Sequence, residues 1–200
     1  MAETLIVILH GVGGRGAHLQ PLADMIGAEL PGARFALPDA PNRYDWDDSG
    51  RQWFSVKDIT PRNRPARLRA ARAAFDQVLA TTIAGHGFGD RPDRVALVGF
   101  SQGAIMAMDA VMSGRFRPQA LAALSGRLVK SATGLPGIPV MLSHGLDDPV
   151  IPARDAIAAA AHWGKQGCPV DLHLWTGLGH WFDARVATTT AAFLRRALIL

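Results

Sequence analysis

The chain holds a single cysteine, Cys168, among its 200 residues, so no internal disulfide can form. A reducing compartment, and hence a cytoplasmic location, is expected. A signal peptide is not expected either. Met1-Ala2-Glu3 carries an acid where a signal peptide has its basic region, and the next apolar run stops at His10 and a glycine cluster. The longest apolar runs, Leu5–Leu9 and Val95–Val98, fall far short of the ~18 residues a membrane-spanning helix needs. Stable membrane insertion is not expected. Lysine is scarce too, with 3 against 18 arginines. The densest basic run is Arg62, Arg64, Arg67, Arg69 and Arg72, and it reads as the solvated face of a helix. No aromatic residues interleave with it, so nucleic-acid binding is not expected. His18, His86, His162 and His173 show no H-x-x-x-H or H-E-x-x-H spacing, so a metal site is not expected.

The composition is that of an ordinary globular chain, with 48% apolar and 19% charged residues. A chain of this length buries roughly 70% of its unfolded surface, enough for one domain over residues 1–200 without covalent staples. Short apolar runs alternate with helical stretches. Strands are expected at Thr4–Leu9, Arg34–Leu37, Arg94–Val98, Ala120–Leu124, Pro139–Ser143 and Val170–Trp175. Helices are expected at Ala17–Leu30, Pro65–Ile83, Gln102–Met112, Pro152–Trp163 and Phe182–Ala197. This alternation predicts an α/β fold, a mostly parallel sheet with helices on both faces. Residues 38–63 break the pattern. They are rich in Asp, Pro and Arg, include Trp46 and Trp53, and read as a long irregular insert that covers either the core or a ligand.

The most specific signal is Gly99-Phe100-Ser101-Gln102-Gly103. This G-x-S-x-G follows a predicted strand and opens a predicted helix, the context a nucleophile elbow requires. A tight turn with small residues on both sides lifts the serine hydroxyl clear of the backbone. The same pattern also arises as a simple anion-binding turn, but an acid and a base come later in the expected order. Strand 139–143 leads into His144-Gly145-Leu146-Asp147-Asp148-Pro149, and strand 170–175 leads into Thr176-Gly177-Leu178-Gly179-His180. In an open α/β sheet these loops share one rim. Spacing alone does not choose between Asp147 and Asp148, although Pro149 restrains Asp148 to extended backbone. An oxyanion hole would combine the N–H of Gln102 with an amide of the loop His10-Gly11-Val12-Gly13-Gly14-Arg15-Gly16, where Val12 is the choice. As a phosphate-cradling loop this segment lacks the G-K-[ST] ending and the G-x-G-x-x-G spacing. Met106, Met108 and Met112 come after the serine and read as core, and His10 and His144 as residues that shape the rim.

Leu9-His10-Gly11-Val12-Gly13, the elbow, the stretch from His144-Gly145 through Asp148 to Ile151-Pro152, and His180 together resemble the phospholipase/carboxylesterase family. That family includes bacterial carboxylesterases and acyl-protein thioesterases. The resemblance implies a minimal α/β-hydrolase that cleaves carboxylic esters or thioesters through an acyl-enzyme, with small-molecule substrates and no cofactor. Carried onto this chain, it makes Ser101 the nucleophile, Asp148 the acid, His180 the base, and Val12 and Gln102 the oxyanion donors. It also places Trp53 before the substrate pocket, and Gly11 and Trp46 are further candidate substrate contacts. The polar character of the insert points to short or medium acyl chains. A lysophospholipase-like enzyme of membrane surfaces and a ligand-binding protein without turnover are the alternatives.

Overall fold

A computed structural model describes residues 3–129 and 137–198. The reading of the N-terminus rests partly on Met1 and Ala2, outside the described residues. The main sheet takes β1 (Thr4–Leu9), β2 (Ala33–Ala36), β5 (Val95–Phe100), β6 (Ala120–Leu124), β7 (Val140–Gly145) and β8 (Val170–Trp175). Its order is β2-β1-β5-β6-β7-β8, and every pairing is parallel. Parallel neighbours need crossovers, which α1 (Gln20–Glu29), α2 (Arg64–Gly85), α3 (Gln102–Met112) and α4 (Arg154–Lys165) supply, and α5 (Ala184–Leu198) closes the described fold.

The strands read as continuous apolar runs because both faces are covered. Leu5, Val7 and Leu9 of β1 face the core shared with α2, α3 and α4, while Ile6 and Ile8 face the one shared with α1 and α5. β5 divides likewise, with Val95 and Leu97 on one side and Ala96, Val98 and Phe100 on the other. All of α3 is buried, Met106, Met108 and Met112 included, so this helix needs no polar face.

Local chemistry sets the boundaries where they differ from the pattern. Residues 16–19 form a 3₁₀ turn, and α1 starts only at Gln20, with Pro21 in its first turn. α5 starts at Ala184 because the Asp183 carboxylate accepts from the Arg185 and Val186 N–H groups at 2.9 and 3.2 Å. The insert is less irregular than expected. β3 (Asn42–Arg43) and β4 (Arg51–Gln52) form a small antiparallel hairpin. Asp45 ties this hairpin to residues 55–57 by accepting from Gln52, from the Ser55 hydroxyl and from the Val56 and Lys57 N–H groups.

The basic run is not a uniform solvated face. Arg72 makes a two-pronged pair with Asp109, which is 1% exposed on α3, and Arg115 joins the same carboxylate. Arg67 donates to the carbonyl and hydroxyl of Ser55. Among the described residues, no helix is long and apolar enough to cross a membrane.

Candidate active site

β5 runs straight into α3 through Ser101, whose backbone sits at φ 52, ψ −114. A residue with a Cβ enters this region at a cost of about 1–3 kcal/mol. The turn is also crowded. A Cβ on Gly99 would lie 2.5 Å from the Ala104 Cα, and one on Gly103 would lie 2.2 Å from the Leu9 carbonyl oxygen. Glycine on both sides is therefore a steric requirement. The Ser101 N–H donates to the Leu124 carbonyl at 2.9 Å, which fixes the elbow to the end of β6.

The loops after β7 and β8 bring the acid and the histidine to this serine. His180 Nε2 lies 2.8 Å from Ser101 Oγ, and His180 Nδ1 lies 2.7 Å from Asp148 Oδ2. A carboxylate only accepts, so the Nδ1 proton of His180 points at Asp148 and the Nε2 lone pair faces the serine hydroxyl. Asp148 is buried, which by itself raises its pKa. Hydrogen bonds from His180, Ile151 N–H and Val150 N–H outweigh burial and hold the carboxyl below its usual range. Asp147 is exposed, and its N–H goes to the Leu178 carbonyl. Of the two adjacent acids, the structure turns Asp148 to the histidine. Leu178 also backs the loop before the acid, since a Cβ on Gly145 would sit 2.1 Å from its carbonyl oxygen.

His144 enters the same network. Its Nε2 lies 3.0 Å from Asp148 Oδ2 and 2.7 Å from the Ile151 carbonyl. Both are acceptors, so Nε2 carries the proton and braces the carboxylate oxygen that meets His180. The rim-shaping role read from the sequence thus takes the form of a second imidazole on the acid.

Gly11–Gly14 forms a tight turn, with the Gly14 N–H on the Gly11 carbonyl at 3.2 Å and Gly13 at φ 75. A Cβ on Gly11 would lie 3.2 Å from Ser101 Cβ, so this turn packs directly on the serine. The insert clamps the turn from behind. Gly13 N–H donates to the Arg51 carbonyl at 2.8 Å, and Arg51 N–H donates to the Gly14 carbonyl at 2.9 Å. Buried His10 accepts from the Ala40 N–H on Nε2 at 2.9 Å, so its proton sits on Nδ1 and donates to the Gly11 carbonyl at 2.7 Å. Burial lowers the His10 pKa, in keeping with this neutral, structural tautomer. Among the described residues no backbone carbonyl accepts from the Val12 N–H. The Gln102 N–H belongs to the first turn of α3, where helical amides lack helical acceptors. The Gln102 side chain pairs with the insert like a short piece of ladder. It accepts from the Trp53 N–H and donates to the Phe54 carbonyl, both at 2.8 Å.

The aromatic residues are distributed differently from expectation. Trp53 is 1% exposed, donates its indole N–H to the His10 carbonyl and packs edge-on against Phe75. With so little open surface it supports the turn and offers a substrate almost nothing to touch. Trp46 is 62% exposed and meets Tyr44 edge-on, and Tyr44 lies against Gly13. Trp181, next to His180, is 51% exposed, stacks on Phe182 and meets Phe100 edge-on. Leu146 and Val150, on either side of the acid, are also exposed. Sequence reasoning missed Trp181, Leu146 and Val150. Their adjacency to the predicted histidine and acid was the available signal.

A six-stranded parallel sheet with a strained serine elbow on a central strand, and an acid and a histidine after the last two strands, defines an α/β-hydrolase. Comparison with known proteins narrows this. The chain belongs to the phospholipase/carboxylesterase family, whose sequence profile matches residues 1–198, and it is a hydrolase of the carboxylesterase type. It is 31% identical over 185 residues to the esterase YpfH of Escherichia coli K12, covering 92% of this chain and 78% of that protein. It is 24% identical over 214 residues to acyl-protein thioesterase 1 of Kluyveromyces lactis, covering 100% of this chain and 94% of that protein. The crystal structure of esterase PE8 superposes with a TM-score of 0.88 at 32% identity, covering 98% of this chain and 93% of PE8.

Proposed function

We propose that the protein is a serine hydrolase that cleaves carboxylic esters or thioesters of short to medium acyl chains through an acyl-enzyme. The observation that carries this reading is the continuous run of hydrogen bonds from Ser101 through His180 to Asp148, at 2.8 and 2.7 Å. In this reading Ser101 Oγ attacks the acyl carbon while His180 Nε2 takes its proton. Asp148, kept ionised by its donors, holds the imidazole tautomer and steadies the imidazolium. The tetrahedral oxyanion rests on the N–H groups of Val12 and Gln102, which the turn and the helix start hold in place before substrate arrives. His180 then passes its proton to the leaving alkoxide or thiolate, and water repeats the sequence to release the acid. The chain acts as one α/β-hydrolase domain, with residues 38–63 as its active-site insert. Gly11 admits the acyl group beside the serine, and Trp46, Leu146, Val150 and Trp181 offer apolar surface around the site as a whole. A reducing, cytoplasmic setting goes with this reading, because the one cysteine, Cys168, can form no internal disulfide.

The test is covalent labelling by a fluorophosphonate, expected at Ser101 and at no other serine. Ser101→Ala should lower kcat about a million-fold on an activated ester while leaving substrate binding nearly intact. Labelling at Ser125 or Ser143 in its place would refute the assignment. An acyl-length series with matched oxygen and sulfur esters tests chain length and atom preference. A steady rise in kcat/KM out to palmitoyl esters would refute the short-to-medium reading.

A further inference from the structure

Part of the arginine-rich stretch is left without a packing role. An open pocket of about 440 Å³ lies between the starts of α2 and α4, lined by Pro61, Arg64, Arg127, Leu128, Arg154 and Asp155. It gathers three guanidinium groups and one carboxylate. Arg127 takes that carboxylate, with Nε 2.7 Å from Asp155 Oδ2. Among the described residues the guanidinium groups of Arg64 and Arg154 have no hydrogen bond or ion pair of their own. Burial and the neighbouring charge of Arg127 both disfavour the cationic form of Arg64, which Asp155 offsets in part. Arg64 and Arg154 are also the first residues of two long helices, whose N-terminal amides add positive potential. The pocket therefore carries an uncompensated charge of about +2 that an oxyanion would balance.

Its position relates it to the serine. Arg127 stands three residues beyond Leu124, whose carbonyl receives the Ser101 N–H, a span of at most about 11 Å of chain. Leu128 and Ala159 belong to the α2, α3 and α4 side of the sheet. His180 lies against Phe100, which belongs with Phe182 to the α1 and α5 side. The leaving group must face His180 to be protonated, and the pocket's side of the sheet is the opposite one.

We propose that this pocket binds a terminal oxyanion on the acyl chain, so that the enzyme prefers esters of acids carrying a second, distal carboxylate. The inference rests on the serine-hydrolase reading and extends it to substrate class. The test uses 4-nitrophenyl monoesters of dicarboxylic acids, from succinyl to suberyl, each against the neutral ester of matched length. At the length that reaches the pocket, the carboxylate ester should show about tenfold higher kcat/KM than its neutral partner, the scale of a charge-assisted pair. That ratio should fall toward one in Arg64→Gln/Arg154→Gln. In the unmodified protein it should fall at high salt, where screening shortens from about 10 Å at 0.1 M to about 3 Å at 1 M. Inorganic phosphate should compete with the carboxylate esters. Neutral esters turned over with no preference at any length would overturn the subsite while leaving the hydrolase reading intact. Phosphate binding, seen by ³¹P line broadening and lost in the arginine variant, without any such preference would assign the pocket to a free oxyanion and overturn the substrate-borne one. An unlabelled, inert Ser101 would sink both readings.

Discussion

Ser101, His180 and Asp148 are joined through their side chains and come from loops that follow parallel strands of one sheet. The Gly11–Gly14 turn is instead held through its backbone, by the hairpin and by Trp53 of a distant insert. The first group inherits its geometry from strand register: β7 and β8 pair residue by residue from Val140↔Val170 to Gly145↔Trp175. The second depends on a segment that has only two-residue strands to hold it. Changes in the first group should therefore act abruptly and on chemistry. Changes in the second should act by degrees, through the position of a few amides.

The largest effect is expected at the acid. Asp148→Asn keeps the shape and removes the charge, and kcat should fall by roughly 10³–10⁴. Asp147→Asn should stay within about tenfold, because Asp147 is exposed, the His180 Nδ1 bond goes to Asp148, and the Asp147 tie to the histidine's loop is a backbone N–H. If kcat on one activated ester collapses in the Asp147 variant, the acid is misassigned by one residue. Next comes Gln102→Ala, which leaves the buried Trp53 N–H and Phe54 carbonyl without partners. A displaced oxyanion donor should cost roughly 10² in kcat with KM little changed, and the orphaned groups about 1–3 kcal/mol of stability by urea unfolding. An unchanged kcat would separate the insert from the chemistry.

A milder disturbance of the same kind is Gly50→Ala. Its new Cβ would lie 2.6 Å from the Gly13 carbonyl oxygen, so the turn must move. A shift of a few tenths of an ångström should lower kcat about tenfold, less than the ~10² that a 1 Å misplacement brings. The smallest effect is a drift in stability with pH. Asp148, Asp109 and Asp39 all have folded pKa values below their ordinary ones. Their contribution is complete above the unfolded value near ~3.9 and is lost as pH falls through the folded values. Urea midpoints should slip gently below about 6.5, where buried His10 stays neutral while its unfolded counterpart gains a proton, and should fall steeply below about 4. Asp148→Asn should make that fall shallower, and an unaltered fall would contradict the sign given to Asp148.

The parts of the molecule legible in the sequence are those written in local pattern. β1, β6, β8 and α3 have the expected bounds, because each is an apolar run or a G-x-S-x-G junction with its own start and stop. The order Ser101, Asp148, His180 is legible for the same reason, since each residue comes after a strand. The β3–β4 hairpin is not, as two residues per strand leave no periodicity to read. Trp53 reads as a substrate contact in the sequence because nothing local ties it to the His10 carbonyl across 43 positions. Arg64, Arg67 and Arg72 look alike in the sequence. Their fates divide only when the fold brings Ser55, Asp109 and Arg127 beside them.

Gly145 has a mechanical consequence. With no side chain there, the loop before Asp148 lies flush on the Leu178 carbonyl, and the Asp147 N–H bonds to that same oxygen. The acid's loop and the histidine's loop are thus keyed together like two parts of one lever. A shift of either loop is therefore expected to be passed to the other through the Leu178 carbonyl, so that it alters the distance from His180 to Ser101 before it alters the pairing of His180 with Asp148.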